Sequence, residues 1–213
     1  MSETTDVLLV RHGETVWHAE NRYAGSTDVD LSELGHAQAD LLAGWARDAG
    51  LDAVRSSPLQ RAAQTAAGAA AACGLVAEQD PRLAEVDFGR GEGMTTAEMD
   101  AAFPAALAAF RADPVVHHLP GGEDPHAAVA RGMAALDDLV AAHAGGRVLV
   151  VAHTTLIRLL LCRLLGSPLH AYRRLFPFVR NVALTEVRMG GKAPALLQFN
   201  VPLEPVGARI AAR

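Results

Sequence analysis

The run Arg147-Val-Leu-Val-Val-Ala152 constrains the fold more than any other stretch of this chain. Its apolar residues are continuous rather than alternating, which suits a strand covered on both faces, as in a parallel sheet flanked by helices. The run stops abruptly at His153. A second run of the same kind, Asp6-Val-Leu-Leu-Val10, stops at Arg11-His12-Gly13. Residues 51–55 read as another strand and 75–78 as a weaker one. Residues 181–187 and 196–199 are strand-like pieces near the end of the chain.

Helix signals fill the intervals. Ser32 is placed to cap a helix through Ala49, with Glu33 in its first turn and Gly50 as the stop. Ser57-Pro58 supplies a cap and a first-position proline for an alanine-rich helix ending near Cys73, before Gly74. Thr95-Thr-Ala-Glu98 has capping-box spacing, and Phe103-Pro104 opens a helix that ends near Asp113-Pro114. Asp124-Pro125 caps another that runs to His143. Thr154 opens one to about Leu165, and a short helix is expected near residues 169–175. Strands alternating with helices predict an α/β fold, a three-layer α/β/α sandwich with a mostly parallel central sheet. Only partial order is expected in the tail from Pro202.

Composition narrows the function classes. Nineteen basic against twenty-four acidic residues give a net charge of −5, so no nucleic-acid partner is expected. The longest apolar stretch, residues 154–161, is too short and contains Arg158, so no membrane partner is expected either. The first ten residues lack a basic region and a cleavage site, so a secretory signal is not expected. Cys73 and Cys162 lie far apart in apolar helical contexts and read as buried thiols of a cytoplasmic protein. Lys192 is the sole lysine; the remaining basic residues are arginines, whose planar forks suit oxyanions.

In α/β folds ligands bind beyond the carboxyl ends of the strands. Arg11-His12, the segment 57–61 with Arg61, and His153 all fall at such ends. Two arginines beside two histidines disfavour a metal, because guanidinium groups repel it; no metal or other cofactor is expected. The same set suits a phosphate, with helix N-termini adding N–H donors. A neutral imidazole there can attack phosphorus, and the flanking cations spread the charge of the transferring group. Glu85 is the best acid in the irregular segment 81–94, with Asp87 and Glu92 as competitors. Adjacent His117 and His118 diverge and do not read as a metal pair. His36, His126, His143 and His170 read as solvated, and Gly89, Gly91 and Gly93 lack the strand a dinucleotide fingerprint needs. Arg158, Arg163, Arg173, Arg174 and Arg180 read as a solvated basic surface, with a minor role in attracting an acidic substrate as the alternative.

These residues resemble the histidine phosphatase superfamily, also called phosphoglycerate mutase-like. Leu9-Val-Arg-His-Gly-Glu-Thr15 matches its first block, with Trp17, Arg22, Gly25, Asp28 and Leu31-Ser-Glu-Leu-Gly35 in the usual context. Ser56-Ser-Pro-Leu-Gln-Arg-Ala62 and Val150-Val-Ala-His153 are similar to the second and third blocks. The resemblance spans roughly residues 6–165. It implies that His12 is the phosphorylated nucleophile, that Arg11 and Arg61 bind the phosphoryl group, that His153 stabilises the transition state and that Glu85 is the proton donor. His18, Gly25 and Thr154 are expected to contact the substrate.

The resemblance implies one domain, residues 1–213, with residues 81–125 capping the substrate. Residues 85–95 are similar to the phosphatase version, without the long insertion of the mutases. The expected function is metal-independent hydrolysis of a small-molecule phosphomonoester through a phosphohistidine. A phosphoglycerate mutase-type phosphotransferase and a non-catalytic phosphate-binding module remain the alternatives. The expected partner is a small phosphorylated metabolite, with a homodimer left open. Three positions depart from the family pattern: His18 replaces an asparagine, Thr154 a glycine, and Asp124 the serine of a Gly-Glu-Ser block.

Overall fold

Val7 and Leu9 point to one side of the first strand and Leu8 and Val10 to the other, and all four are buried. Side chains alternate across a strand, so an uninterrupted apolar run requires cover on both faces. The computed structural model describes residues 3–203 and provides that cover. The order is β1 (Thr5–Arg11), α1 (Glu33–Ala46), β2 (Ala53–Ser56), α2 (Gln60–Ala72), β3 (Ala77–Gln79), α3 (Thr96–Ala102), α4 (Pro104–Ala112), α5 (Pro125–Ala142), β4 (Arg147–Ala152), α6 (Thr154–Leu164), α7 (Tyr172–Leu175), β5 (Leu184–Met189) and β6 (Ala195–Val201).

The strands form one sheet in the order β3-β2-β4-β1-β5-β6. The pairs β2–β3, β2–β4 and β1–β4 are parallel, and β5 runs antiparallel to both of its neighbours. The fold is thus an α/β/α sandwich on a largely parallel sheet. Leu42 and Ala46 of α1, with Ala62, Ala66, Ala69 and Ala70 of α2, cover one face. The alanines let α2 lie close to the sheet. On the other face Val7, Leu9, Val148 and Val150 pack with Leu136 and Leu139 of α5 and Leu156, Leu159 and Leu160 of α6. Among the described residues no helix is long and apolar enough to cross a membrane.

Most helix signals act as expected. Ser32 Oγ accepts from Gly35 N at 3.1 Å, Thr95 and Glu98 form a reciprocal capping box, and Asp124 accepts from His126 N. The start of α2 differs. Ser57 N continues the sheet ladder to Val151 O, Ser57 Oγ accepts from Leu59 N, and the helix opens at Gln60. Asp28 Oδ1, from the loop after β1, accepts from Gln60 N at 2.8 Å. A distant carboxylate therefore does the capping assigned to Ser57. The weaker strand is shifted to Ala77–Gln79, α1 ends three residues before Ala49, and Cys73 is half-buried while Cys162 is buried. The tail expectation lies outside the described residues from 204 onward.

The segment 81–125 carries α3, α4 and an apolar cluster of its own, Met99, Leu107, Phe110 and Leu119. It sits beside the carboxyl ends of β1 and β4, because Leu83, Val86 and Val115 join the core of the α5–α6 face.

Candidate active site

Strand register brings the two histidines together. Arg11 pairs with Ala152 across β1 and β4, so the next residues, His12 and His153, leave the sheet side by side. Their ring centroids lie 5.1 Å apart. His12 N extends the ladder to Ala152 O, Asn181 Nδ2 holds His12 O at 2.8 Å, and Thr65 Oγ1 accepts from Gly13 N at 3.0 Å. Gly13 is required here: a Cβ would meet Gly35 O at 2.6 Å.

His12 Nδ1 lies 2.6 Å from Gly13 O. A carbonyl only accepts, so Nδ1 carries the proton and Nε2 keeps its lone pair. Burial, then Arg11 and Arg61, hold His12 well below the ordinary histidine value. His153 is held well below it too, by burial and then Arg61, His12 and Arg11. Both rings are therefore neutral at neutral pH.

The guanidinium groups are arranged around these rings. Arg61 is fully buried; Nη1 donates to Thr27 O, and Nη2 to Gly25 O and Ala24 O. Gly25 is thus buried behind Arg61. A Cβ on it would meet Val86 O at 2.6 Å. Arg11 Nη1 donates to Val179 O. Burial, with Arg158 and Arg61 adding to it and Glu85 opposing, pushes Arg11 down to about 10, so it stays cationic. Neither Arg11 nor Arg61 forms an ion pair among the described residues. Arg11 Nε, Arg61 Nε and both ring nitrogens of His153 are shut off from solvent with no hydrogen-bond partner among the described residues. Leaving buried cations uncompensated costs roughly several kcal/mol, and an oxyanion among them would offset that cost.

Glu85 is buried at the N-terminus of α6. Its Oε2 accepts from Thr155 N and its Oε1 from Leu156 N and Val86 N, each at 2.9 Å. Arg131 fixes the loop that carries it, donating to Arg82 O, Ala84 O and Glu85 O while Glu123 clamps the same guanidinium. Glu92 is used differently: it accepts from Ser26 N and Phe88 N and ties the Gly25 loop to segment 81–125. Asp87 accepts from Gly89 N.

A cleft of about 550 Å³ opens above this floor, lined by Arg11, His12, His18, Glu85 and Thr154 among others. That volume suits a small-molecule ligand. His18 Nδ1 accepts from Thr15 N at 3.0 Å, which puts its proton on Nε2, and Arg11 Nη2 lies 2.6 Å from that Nε2. Two donors face each other there, an arrangement that an anion accepting from both would relieve.

Arg158 and Arg173, expected on a solvated surface, line the cleft instead. Arg163, Arg174 and Arg180 are exposed, as are His36, His117, His118, His126 and His170; His143 is half-buried. Sequence reasoning missed Asn181, Arg131 and the Arg158–Arg173 wall. Each is defined by contacts across a long stretch of chain and has no local signal.

Neutral, depressed histidines have a consequence for stability. Below the ordinary value of 6.5 the unfolded chain takes up protons that buried His12 and His153 refuse. The unfolded state then binds more protons, so stability falls as pH drops through that value. The melting temperature of the ligand-free protein should decrease from about pH 7 to about pH 5, and excess phosphate should oppose the decrease by binding the folded form. A flat profile would mean that the rings protonate freely in the fold.

The comparisons with known proteins agree with this geometry. Residues 7–202 match the family model described as histidine phosphatase superfamily (branch 1). A Yersinia pestis protein (strain Pestoides F) named "Probable phosphoglycerate mutase GpmB" is 38% identical over 181 residues, covering 85% of this chain and 83% of its own. The solved structure of Bacillus stearothermophilus YhfR superposes with a TM-score of 0.87 at 28% identity, covering 93% of this chain and 98% of that one. A mycobacterial glucosyl-3-phosphoglycerate phosphatase solved with VO3 gives 0.84 at 31% identity, covering 92% and 99%. The chain belongs to the histidine phosphatase superfamily (branch 1), and its activity is the phosphatase- or mutase-type chemistry of that family.

Proposed function

We propose that the protein hydrolyses a small-molecule phosphomonoester through a phosphohistidine on His12, without a metal. The carrying observation is the cage around a neutral His12: four buried nitrogens of Arg11, Arg61 and His153 that lack a hydrogen-bond partner among the described residues. The two guanidinium Nε–H groups and the one N–H of the neutral His153 ring are donors of the kind a transferring phosphoryl group needs. The positive charge that would repel a metal does its work on the oxygens instead.

The chemistry then follows from which atoms are free. His12 Nε2 attacks phosphorus as the bond to the ester oxygen breaks, and the departing alkoxide takes a proton from Glu85. Water next gives a proton to Glu85 and attacks phosphorus. The P–N bond breaks with its electron pair returning to Nε2, and orthophosphate leaves. Arg11, Arg61 and His153 donate to the equatorial oxygens throughout. His18 donates through Nε2, Thr154 forms part of the floor, and Gly25 acts through the carbonyl that orients Arg61. Residues 81–125 act as the cap, since they bring Glu85, Phe88 and Thr96 to the cleft.

Hydrolysis is favoured over transfer by the short elements of that cap and by the likeness to a glucosyl-3-phosphoglycerate phosphatase. The Yersinia relative's name supports a mutase as the second reading. A panel of phosphorylated metabolites separates them. Hydrolysis predicts one orthophosphate per ester consumed, undiminished by a chelator and inhibited by vanadate. Positional transfer without release would establish the mutase, and no reaction with any ester would favour a binding module. Inhibition by the chelator would overturn metal independence.

His18 supplies a separate check. His18→Ala removes one hydrogen bond to a charged oxyanion, a loss of about 1.5 kcal/mol or more. The inhibition constant for orthophosphate should rise roughly tenfold. An unchanged constant would remove His18 from the phosphate site.

A further inference from the structure

Among the described residues, those lining the cleft include four arginines, Arg11, Arg22, Arg158 and Arg173, against one carboxylate, that of Glu85. Arg22 is neutralised by Glu20 and Glu98. Arg11 belongs to the phosphoryl site. Arg158 and Arg173 are left over, and neither forms an ion pair among the described residues. They are nevertheless held in place. Arg158 Nη2 donates to Pro177 O at 3.0 Å and its Nε donates to Phe176 O, with Tyr172 stacked 5.2 Å away. Arg173 lies 4.6 Å from the Phe110 ring and 5.6 Å from the Tyr172 ring, and its Nε donates to Tyr172 Oη at 3.1 Å. Arg158 Nη1 and Arg173 Nη2 have no protein partner among the described residues.

These two half-buried cations sit beside one tyrosine, each in the other's field, with Tyr172 and Glu85 opposing only part of the repulsion at Arg158, so an anion bridging them would be favoured. Arg158 stands one turn along α6 from Thr154 on the cleft floor, about 6 Å farther along the helix axis. That is the reach of a few bonds from a phosphoryl group held at His12.

We propose that Arg158 and Arg173, carried on Tyr172, form a second oxyanion subsite that takes a carboxylate or second phosphate on the leaving-group side of the substrate. The subsite rests on the phosphatase reading for the term "leaving group", and it narrows the substrate to phosphomonoesters that carry another anionic group. Its ligand-binding chemistry is measurable without turnover.

The test uses non-hydrolysable probes on the full chain by titration calorimetry: propylphosphonate, 3-phosphonopropionate and propane-1,3-bisphosphonate. Wild type should bind at least one of the doubly charged probes roughly tenfold more tightly than propylphosphonate, as expected for one added charge-assisted contact. Whichever probe gains identifies the second anion as carboxylate or phosphate. Arg173→Gln and Arg158→Gln should each reduce that affinity ratio to below about threefold, and Arg173→Lys should restore part of it. Equal binding of all three probes by wild type would overturn the subsite. So would a ratio that survives both glutamine variants, including the case in which all affinities fall together because the fold is damaged. Phosphate release from phenyl phosphate by wild type, measured in parallel, tests the phosphatase reading alone. Its failure would leave the probe ratios standing.

Discussion

His12→Ala should lower kcat on every phosphomonoester by a factor of roughly 10⁴ or more, the scale seen when a covalent nucleophile is removed. The expectation follows from how little else in the cleft can take the phosphoryl group. His153 is neutral and close, but it is fully buried beside the cations and is the first residue before α6. Among the described residues, only His12 lines the cleft with a ring nitrogen freed by a backbone carbonyl on the other side. Wild type incubated with labelled substrate and quenched should carry an acid-labile, base-stable label, and the variant should carry none. The cavity left by the imidazole sits among Arg11, Arg61 and His153, so the variant should still bind orthophosphate. Label retained on His12→Ala would move the nucleophile to another residue and dissolve the scheme.

Glu85→Gln gives the second large effect, and its pattern says more than its size. The change removes the transferable proton, for which losses of about 10² to 10⁴ are usual. With an alkyl phosphate the departing oxygen needs that proton, so turnover should fall by about this range. With p-nitrophenyl phosphate the leaving group departs unaided. The first step should survive while attack by water, which also needs Glu85, slows. The variant should therefore release one equivalent of p-nitrophenolate in a burst and accumulate phosphorylated His12. Equal losses on both esters with no accumulating intermediate would show that Glu85 only supports the α6 N-terminus, where it accepts from Thr155 N and Leu156 N. A melting curve of the variant measures that structural contribution separately.

Much of this site was legible before any coordinates, for a local reason. Arg11-His12 and His153 directly follow uninterrupted apolar runs, and such runs end where a sheet meets a ligand. Arg61 was legible as an arginine shortly after a strand, although the start of its helix was not. Ser57-Pro58 gives a normal local signal, yet Asp28, 32 residues earlier, supplies the acceptor for Gln60 N. The basic stretch failed for a similar reason. Arg158 and Arg173 carry no pattern that separates a cleft wall from a wet surface; only the packing of Tyr172 and Phe110 beneath them does.

The sequence by itself determined the layers, because burial on both faces of a strand is written in consecutive apolar residues. It also determined which chemical groups stand at the strand ends, since these are neighbours along the chain. Tertiary structure alone decided that β4 lies between β1 and β2, and with it that His153 meets His12. It decided as well which imidazole nitrogen stays free, which arginines meet no carboxylate among the described residues, and that Arg131 holds the loop of Glu85. Those properties belong to pairs of groups far apart in the chain. Their energies depend on distance and burial, which residue order does not contain.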